Sequence, residues 1–466
     1  MKSLSVNSLI RISAWIVVVL SLCSITSYAF SAEKAKKSNV ILMVADGAGV
    51  ATYQAAADFQ TGSPTGVAYM QAPWKFFTCS TYSIAGEYEP EEMWTNFKKH
   101  KGGATDSAAA ATAINTGVKT DNGTIGLDDD QELLETFAEK ASKNGFSCGA
   151  ITSVQISHAT PAGVAGHVKS RKEGQKLFDQ MLNGGALTVM MGCGHPEFDD
   201  QGRKLPEHKS VNSDKTYYTN PDGTRQWVEY NTYGPSPAAW AKIRNNDLPD
   251  GWTVIESRED FQKLASGQSP LPKKVLGLAQ AHSTLTKLNP REPIPTVPTL
   301  AEESLAALNV LNQNPKGFYL MVEGGAVDWC NHNNKLKETM VEMKEFNDAI
   351  AAVCDWVEKN SSWDETMVII TADHETGALW GPEADEEKSL FQKIQFNGKG
   401  NLPTHKYYSG GHTNQLVPFY VRGKNVEIID KCIKGTDSFY GKLWNYDGRF
   451  IDNTDIVPIM TYVLGL

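Results

Sequence analysis

The sequence predicts an α/β fold: a three-layer sandwich with a large, mostly parallel central sheet, helices on both faces, and surface insertions. Three observations carry this. Seven short runs are apolar without alternation, as strands buried on both faces must be. Helical patterns lie between many of them, so neighbouring strands can run parallel. The chain, at 466 residues, is long enough to bury such a sheet.

The elements follow in chain order. Lys2 and Arg11 flank the start of an apolar run, Ile12 to Leu22, and small residues stand at Ser27 and Ala29. Residues 1–29 are therefore expected to be a secretory signal peptide cleaved after Ala29. Export to the periplasm or the medium follows, with no stable membrane insertion after cleavage. An uncleaved anchor is the alternative; Ser21, Ser24, Thr26 and Ser27 dilute the run and argue against it. Residues 30–466 are expected to form a single catalytic domain.

"NVILMVA" at 39–45 is the first strand. In "HKGGATDSAAAATAINTG" at 100–117, a glycine-rich loop runs into a row of alanines. Asp106 or Ser107 can cap the helix that begins there. Ser107 can alternatively be a nucleophile at that helix's positive end. "DQELLETFAEKASKNG" predicts a helix from an Asp130 cap to a Gly145 stop. The strands "FSCGAIT" at 146–152 and "ALTVMMG" at 186–192 come next. Residues 195–272 are polar and turn-rich with interleaved Trp and Tyr, a surface excursion of the same domain. "KVLGLA" at 274–279 resumes the sheet, and "NPREPIPTVP" at 289–298 is a proline-rich connection. "FYLMV" at 318–322, a long amphipathic helix at 338–359, "TMVIIT" at 366–371 and "QLVPFYV" at 415–421 complete the alternation.

The net charge is −10, and losing Lys2 and Arg11 with the signal would make it more negative. A nucleic-acid partner is disfavoured. An anionic substrate would need local positive charge from an arginine, a helix end or a metal. Cys79, Cys148, Cys193, Cys330, Cys354 and Cys432 show no Cys-x-x-Cys spacing, and no pairing follows from them.

In open α/β sheets, sites form beyond the carboxyl ends of the strands. Asp46 follows the first strand, Glu323 follows "FYLMV", and Asp373 and His374 follow "TMVIIT". Asp328 and His332 are four apart, on one face of a helix. With His412 of "SGGHTNQ" they make three zinc ligands and leave an open position, the catalytic pattern. Asp46, Asp373 and His374 make a second set, with Ser107 as a fourth ligand. A metal there would acidify the serine hydroxyl and make it a nucleophile. For an isolated pair, a structural Asp328–His332 hydrogen bond is the alternative.

The motifs "VADGAG", "GATDSAAAATA", "SHATPA…HVKSR", "VEGGAVD…H", "TADHETG" and "SGGHT", in this order across residues 40–413, resemble those of the alkaline phosphatases. The resemblance implies two zinc ions and one magnesium ion. Asp328, His332 and His412 would hold the first zinc. Asp46, Asp373 and His374 would hold the second, with Ser107 approaching it. Asp46, Thr160 and Glu323 would hold magnesium. His158 stands at a position that varies in the family; it could hydrogen-bond a magnesium-bound water, or ligate and favour zinc at the third site. Arg171 would fork onto two phosphate oxygens, and Trp329 would lie near the phosphate. The implied reaction is hydrolysis of small phosphate monoesters through a phosphoserine, in a homodimer. A related phosphodiesterase or sulfatase, or a catalytically silent phosphate-binding metalloprotein, are the competing readings. Arg171 and the magnesium ligands favour a monoester; Ser107 and the complete ligand sets argue against silence.

Overall fold

Ser38–Ala45 is buried along its whole length, which is why it carries an unbroken apolar run. It is the first of eleven strands in the central sheet of this computed structural model. The structure describes residues 37–466 apart from 96, 206–214, 220–224, 230–232, 269 and 386–390. The expected signal peptide lies outside the described residues. The strands are β1 Ser38–Ala45, β2 Lys75–Ser80, β3 Ser147–Gln155, β4 Val189–Cys193, β5 Trp252–Ile255, β6 Lys274–Leu278, β7 Gly317–Gly324, β8 Thr366–Thr371, β9 Val417–Gly423, β10 Gly435–Thr436 and β11 Arg449–Asp452. Their order across the sheet is β10-β11-β2-β9-β8-β1-β7-β3-β4-β6-β5.

All seven expected strands lie in this sheet. From β8 through β1 to β5 every neighbouring pair is parallel. Strand β9 runs antiparallel to both β8 and β2, and β10 is antiparallel to β11. The reversal at β9 has a local cause. Beyond the carboxyl end of β8, Glu375–Thr376 pairs with His412–Thr413, four residues before β9, and Leu379–Trp380 pairs with Lys406–Tyr407. The chain enters β9 from that end and must run back.

Helices cover both faces, and adjacent residues of one strand show it, since their side chains point opposite ways. Phe318 meets Trp356 of the helix Leu336–Asn360. Tyr319 gives its hydroxyl hydrogen to Asn115 of the helix Ser107–Thr116. Two expectations need correction. The helix expected from Asp130 begins only at Phe137, because Thr136 and Glu139 form a reciprocal cap there. Before it, Gln131 has φ 66°, which a helix cannot continue through, and Leu133 is 74% exposed. Part of the 195–272 segment is not excursion at all, since it supplies β5 at the sheet edge. Among the described residues no helix is long and apolar enough to cross a membrane.

The sheet's register positions the site. Val44 lies level with both Glu323 and Thr371, and Glu323 lies level with Thr152. Residues just beyond this row, Asp46 and Asp373, therefore converge at one end.

Candidate active site

Asp106 and Ser107 divide the two roles that the sequence left open between them. Asp106 Oδ1 accepts hydrogen bonds from the N–H groups of Ala109 and Gly123, both at 3.0 Å. The helix end is thus capped without Ser107. The Ser107 hydroxyl is buried and lies 3.2 Å from His374 Nε2. The alanines behind it are small for a packing reason: a Cβ added to Gly163 would sit 2.6 Å from that of Ala111.

Asp328, His332 and His412 come together, as expected, with one ligand atom from each inside a 4.8 Å span. His332 Nδ1 and His412 Nδ1 each lie 2.7 Å from a backbone carbonyl, of Gly410 and Thr105. Both Nδ1 atoms must therefore carry hydrogen. Their Nε2 atoms face one another at 3.1 Å. Two imidazole lone pairs cannot do so unless a cation lies between them. Asp328 Oδ2 is 3.2 Å from His332 Nε2, and its hydrogen bond pushes the His332 pKa up to about 9. A zinc ion fits these donors. Burial opposes ionisation of Asp328, but the His332 hydrogen bond and the neighbouring histidines hold its carboxyl well below the usual range.

In the second set, His374 lies near both of its expected carboxylates, Asp373 and Asp46. His374 Nε2 lies 3.2 Å from Asp373 Oδ2 and 3.6 Å from Asp46 Oδ1. Asp328 also reaches this group, within 4.8 Å of Asp46 and His374. The two sets thus share a carboxylate that spacing alone did not assign to both. Asp373 Oδ1 accepts from the N–H groups of Gly47 and His374. Both oxygens of Asp46, Asp373 Oδ2, Glu323 Oε1 and Thr160 Oγ1 are buried without a hydrogen-bond partner. Burial pushes the Glu323 and Asp373 carboxyls up to about 7, with nearby carboxylates adding to it. Burial and then Asp373 raise Asp46 as well. Cations would return all three to the ionised form, so orphaned oxygens and crowded acids both fit metal binding.

His158 joins Asp46 and Glu323 within 4.8 Å. Burial, then the charge of Arg171, pushes its pKa down to about 3, so it is a neutral imidazole. Arg171 Nη2 lies 3.5 Å from His158 Nε2, and Nη1 donates to Asp106 Oδ2 at 3.1 Å. The residue capping Ser107's helix therefore also aims the arginine. Trp329 is half-buried, its ring centroid 5.9 Å from that of His158.

Two threonines escaped the sequence reading. Thr376 Oγ1 donates to Asp328 Oδ1 at 2.6 Å and so accepts from His374 Nδ1 at 3.2 Å. This leaves His374 Nε2 without hydrogen, facing Ser107. Thr152 hydrogen-bonds Glu323. Thr376 had a signal, since it stands two residues after His374, and the short pairing of that segment turns it back into the site. Thr152 had none, being one of several polar residues in a buried strand.

Comparison with known proteins accords with this geometry. The family model for alkaline phosphatase matches residues 37–431. Alkaline phosphatase 3 of Bacillus subtilis (strain 168) is 29% identical over 359 residues, 74% of this chain and 64% of that protein. The chain thus spans somewhat less than two thirds of that relative's length. The alkaline phosphatase of Escherichia fergusonii is 27% identical over 429 residues, 86% of this chain and 84% of its own. The structure of a cold-active alkaline phosphatase from Shewanella sp. shares the fold at TM-score 0.61 and 24% identity, over 91% of this chain and 99% of that one. With the family model spanning most of its length, this chain belongs to the alkaline phosphatase family.

Proposed function

We propose that this protein hydrolyses phosphate monoesters to an alcohol and inorganic phosphate through a phosphoserine on Ser107, with two zinc ions and one magnesium ion. The observation that carries the reading is the Ser107 hydroxyl, 3.2 Å from His374 Nε2 at a helix start that Asp106 already caps. Asp328, His332 and His412 would hold the first zinc. Asp46, Asp373 and His374 would hold the second. Asp46, Glu323 and Thr160 would hold magnesium, and His158 is close enough to draw zinc into that third site or to hydrogen-bond a water there. Bound in these sites, the metals would acidify adjacent oxygens and offset charge on the entering and leaving groups.

Arg171 holds two oxygens of the phosphoryl group, in the direction Asp106 sets. Trp329 borders the same group. Ser107 Oγ attacks phosphorus in line and gives its proton to solvent, while the ester bond breaks and the departing alkoxide takes a proton from solvent to leave as the alcohol. Water then attacks the phosphoserine and loses a proton, the Ser107–phosphorus bond breaks, the Ser107 oxygen takes a proton back, and phosphate departs. Arg171 and the cations resolve the charge question, since an acidic chain presents a positive pocket. Residues 30–466 act as one catalytic domain. The protein is exported, to the periplasm or the medium, and works as a homodimer on small substrates.

The test is covalent and stereochemical. The holoenzyme, quenched in acid during turnover of a labelled monoester, should carry phosphate on Ser107. A chiral phosphoryl group should reach an acceptor alcohol with retained configuration. Ser107→Ala should lose the label and keep its fold, because Asp106 still caps the helix. Inversion, or label on another residue, would overturn the reading.

A further inference from the structure

We propose that Tyr233 and Trp329 form an aromatic wall beside the phosphate site that favours monoesters of flat aromatic alcohols over aliphatic ones. The proposal rests on the phosphomonoesterase reading above. Its central observation is that the 195–272 segment reaches the candidate site. The Tyr233 carbonyl accepts a hydrogen bond from the N–H of Ser157 at 3.3 Å, one residue before His158. Its ring packs edge-on against His158, with centroids 5.1 Å apart and an interplanar angle of 67°. Trp329 makes the same kind of contact with the same imidazole, at 5.9 Å and 74°.

His158 thus contacts both rings, and its Nε2 is 3.5 Å from Arg171 Nη2. The Tyr233 phenol also lies within electrostatic reach of Arg171. A phosphoryl group held by Arg171 would be bordered by these rings. Tyr233 and Trp329 are both half-buried, so each keeps free surface. Asp328 immediately precedes Trp329 and belongs with His332, whose side chain is 38% exposed. That exposed side gives the organic group of the ester a route out of the site. An aryl or heteroaryl group there meets two large, rigid rings. A hydroxylated aliphatic group meets the same rings with little to gain. Favourable ring geometry adds a two- to tenfold preference, roughly, beyond buried area.

Phosphonates separate binding from leaving-group reactivity, because their carbon–phosphorus bond is not hydrolysed. Phenylphosphonate should inhibit the metal-loaded enzyme about two- to tenfold more tightly than propylphosphonate. Tyr233→Ala should bring that ratio towards one, and Tyr233→Phe should keep it. Metal content is measured on each variant. Should Tyr233→Ala not fold, Trp329→Leu carries the test and should also reduce the ratio. Equal inhibition of the parent enzyme by both phosphonates would overturn the wall. So would a Tyr233→Ala variant that binds both more weakly in equal proportion, since Tyr233 would then merely support His158. Hydrolysis of phenyl phosphate and glycerol phosphate by the parent enzyme distinguishes the two levels. Turnover of both without an aromatic preference in the inhibitors defeats the wall alone. Turnover of neither defeats the phosphomonoesterase reading and the wall with it.

Discussion

The Nε2 atoms of His332 and His412 face each other at 3.1 Å, although their Nδ1 atoms give hydrogen to the carbonyls of Gly410 and Thr105. The backbone has chosen the tautomer, and the tautomer leaves both lone pairs aimed at one point. His412→Ala should empty the proposed first zinc site. Turnover should fall by more than the roughly 10- to 100-fold that loss of an outer hydrogen-bond partner costs. Excess zinc should restore part of it. Metal analysis beside the rate checks this; a variant with full metal content and full rate would remove His412 from the ligand set.

Thr376 ties Asp328 to His374 with one hydroxyl. Thr376→Val keeps the volume and deletes both hydrogen bonds. Metal affinity or activity should drop roughly 10- to 100-fold, and Thr376→Ser should recover most of it. Metal retained after dialysis against a weak chelator is the direct measurement. Equal retention in Val and Ser variants would show that the hydroxyl does not set His374's tautomer.

Arg171 is held by Asp106 rather than left free. Arg171→Ala should raise the inhibition constant of inorganic phosphate by about tenfold or more, the worth of a lost charge-assisted contact. Arg171→Lys should rescue only part, because a point charge cannot fork onto two oxygens. Unchanged phosphate inhibition in both variants would mean that Arg171 does not touch substrate.

His167 bridges Gly126 and Glu139: its Nε2 is 3.0 Å from Glu139 Oε1 and its Nδ1 2.9 Å from the Gly126 carbonyl. The Glu139 hydrogen bond raises its pKa against the effect of burial. Burial acts to raise Glu139, but His167 and Thr136 lower it overall. A raised histidine pKa gives stability that is complete below the unfolded value of about 6.5 and is lost as pH climbs through the folded value. The carboxylate side of the pair requires pH above about 4.3. The melting temperature of the parent should therefore exceed that of His167→Gln most between about pH 5 and 6.5, and the margin should narrow above that window. A margin that widens with rising pH would contradict the pairing.

Much of the fold and of the candidate site was legible because the causes are local. A strand buried on both faces must be apolar at every position, so β1, β7 and β8 announce themselves. Sites in open α/β sheets form beyond the carboxyl ends of the strands, so Asp46, Glu323, Asp373 and His374 could be named as candidates before their partners were seen. Strands β2, β5, β10 and β11 could not, because their composition is mixed and pairing with neighbours makes them strands. The helix expected at Asp130 failed for a related reason: apolar spacing at Leu133 and Leu134 satisfied the helical pattern, but the cap that Thr136 and Glu139 build together begins the helix later.

The sequence by itself determined the chemistry available: carboxylates and histidines at strand ends, a serine at the start of an alanine helix, and an arginine after the "SHATPA" turn. Only the tertiary structure decided which of them meet and in what state. Asp106 and Arg171 are 65 residues apart, Asp328 and Thr376 are 48 apart, and Thr152 and Glu323 are 171 apart. Such pairs depend on sheet register and on the path taken between strands, which no local pattern encodes. Hydrogen bonds to Thr376, Gly410 and Thr105 likewise select one tautomer of His374, His332 and His412, and so turn a list of candidate ligands into a site with lone pairs pointing inward.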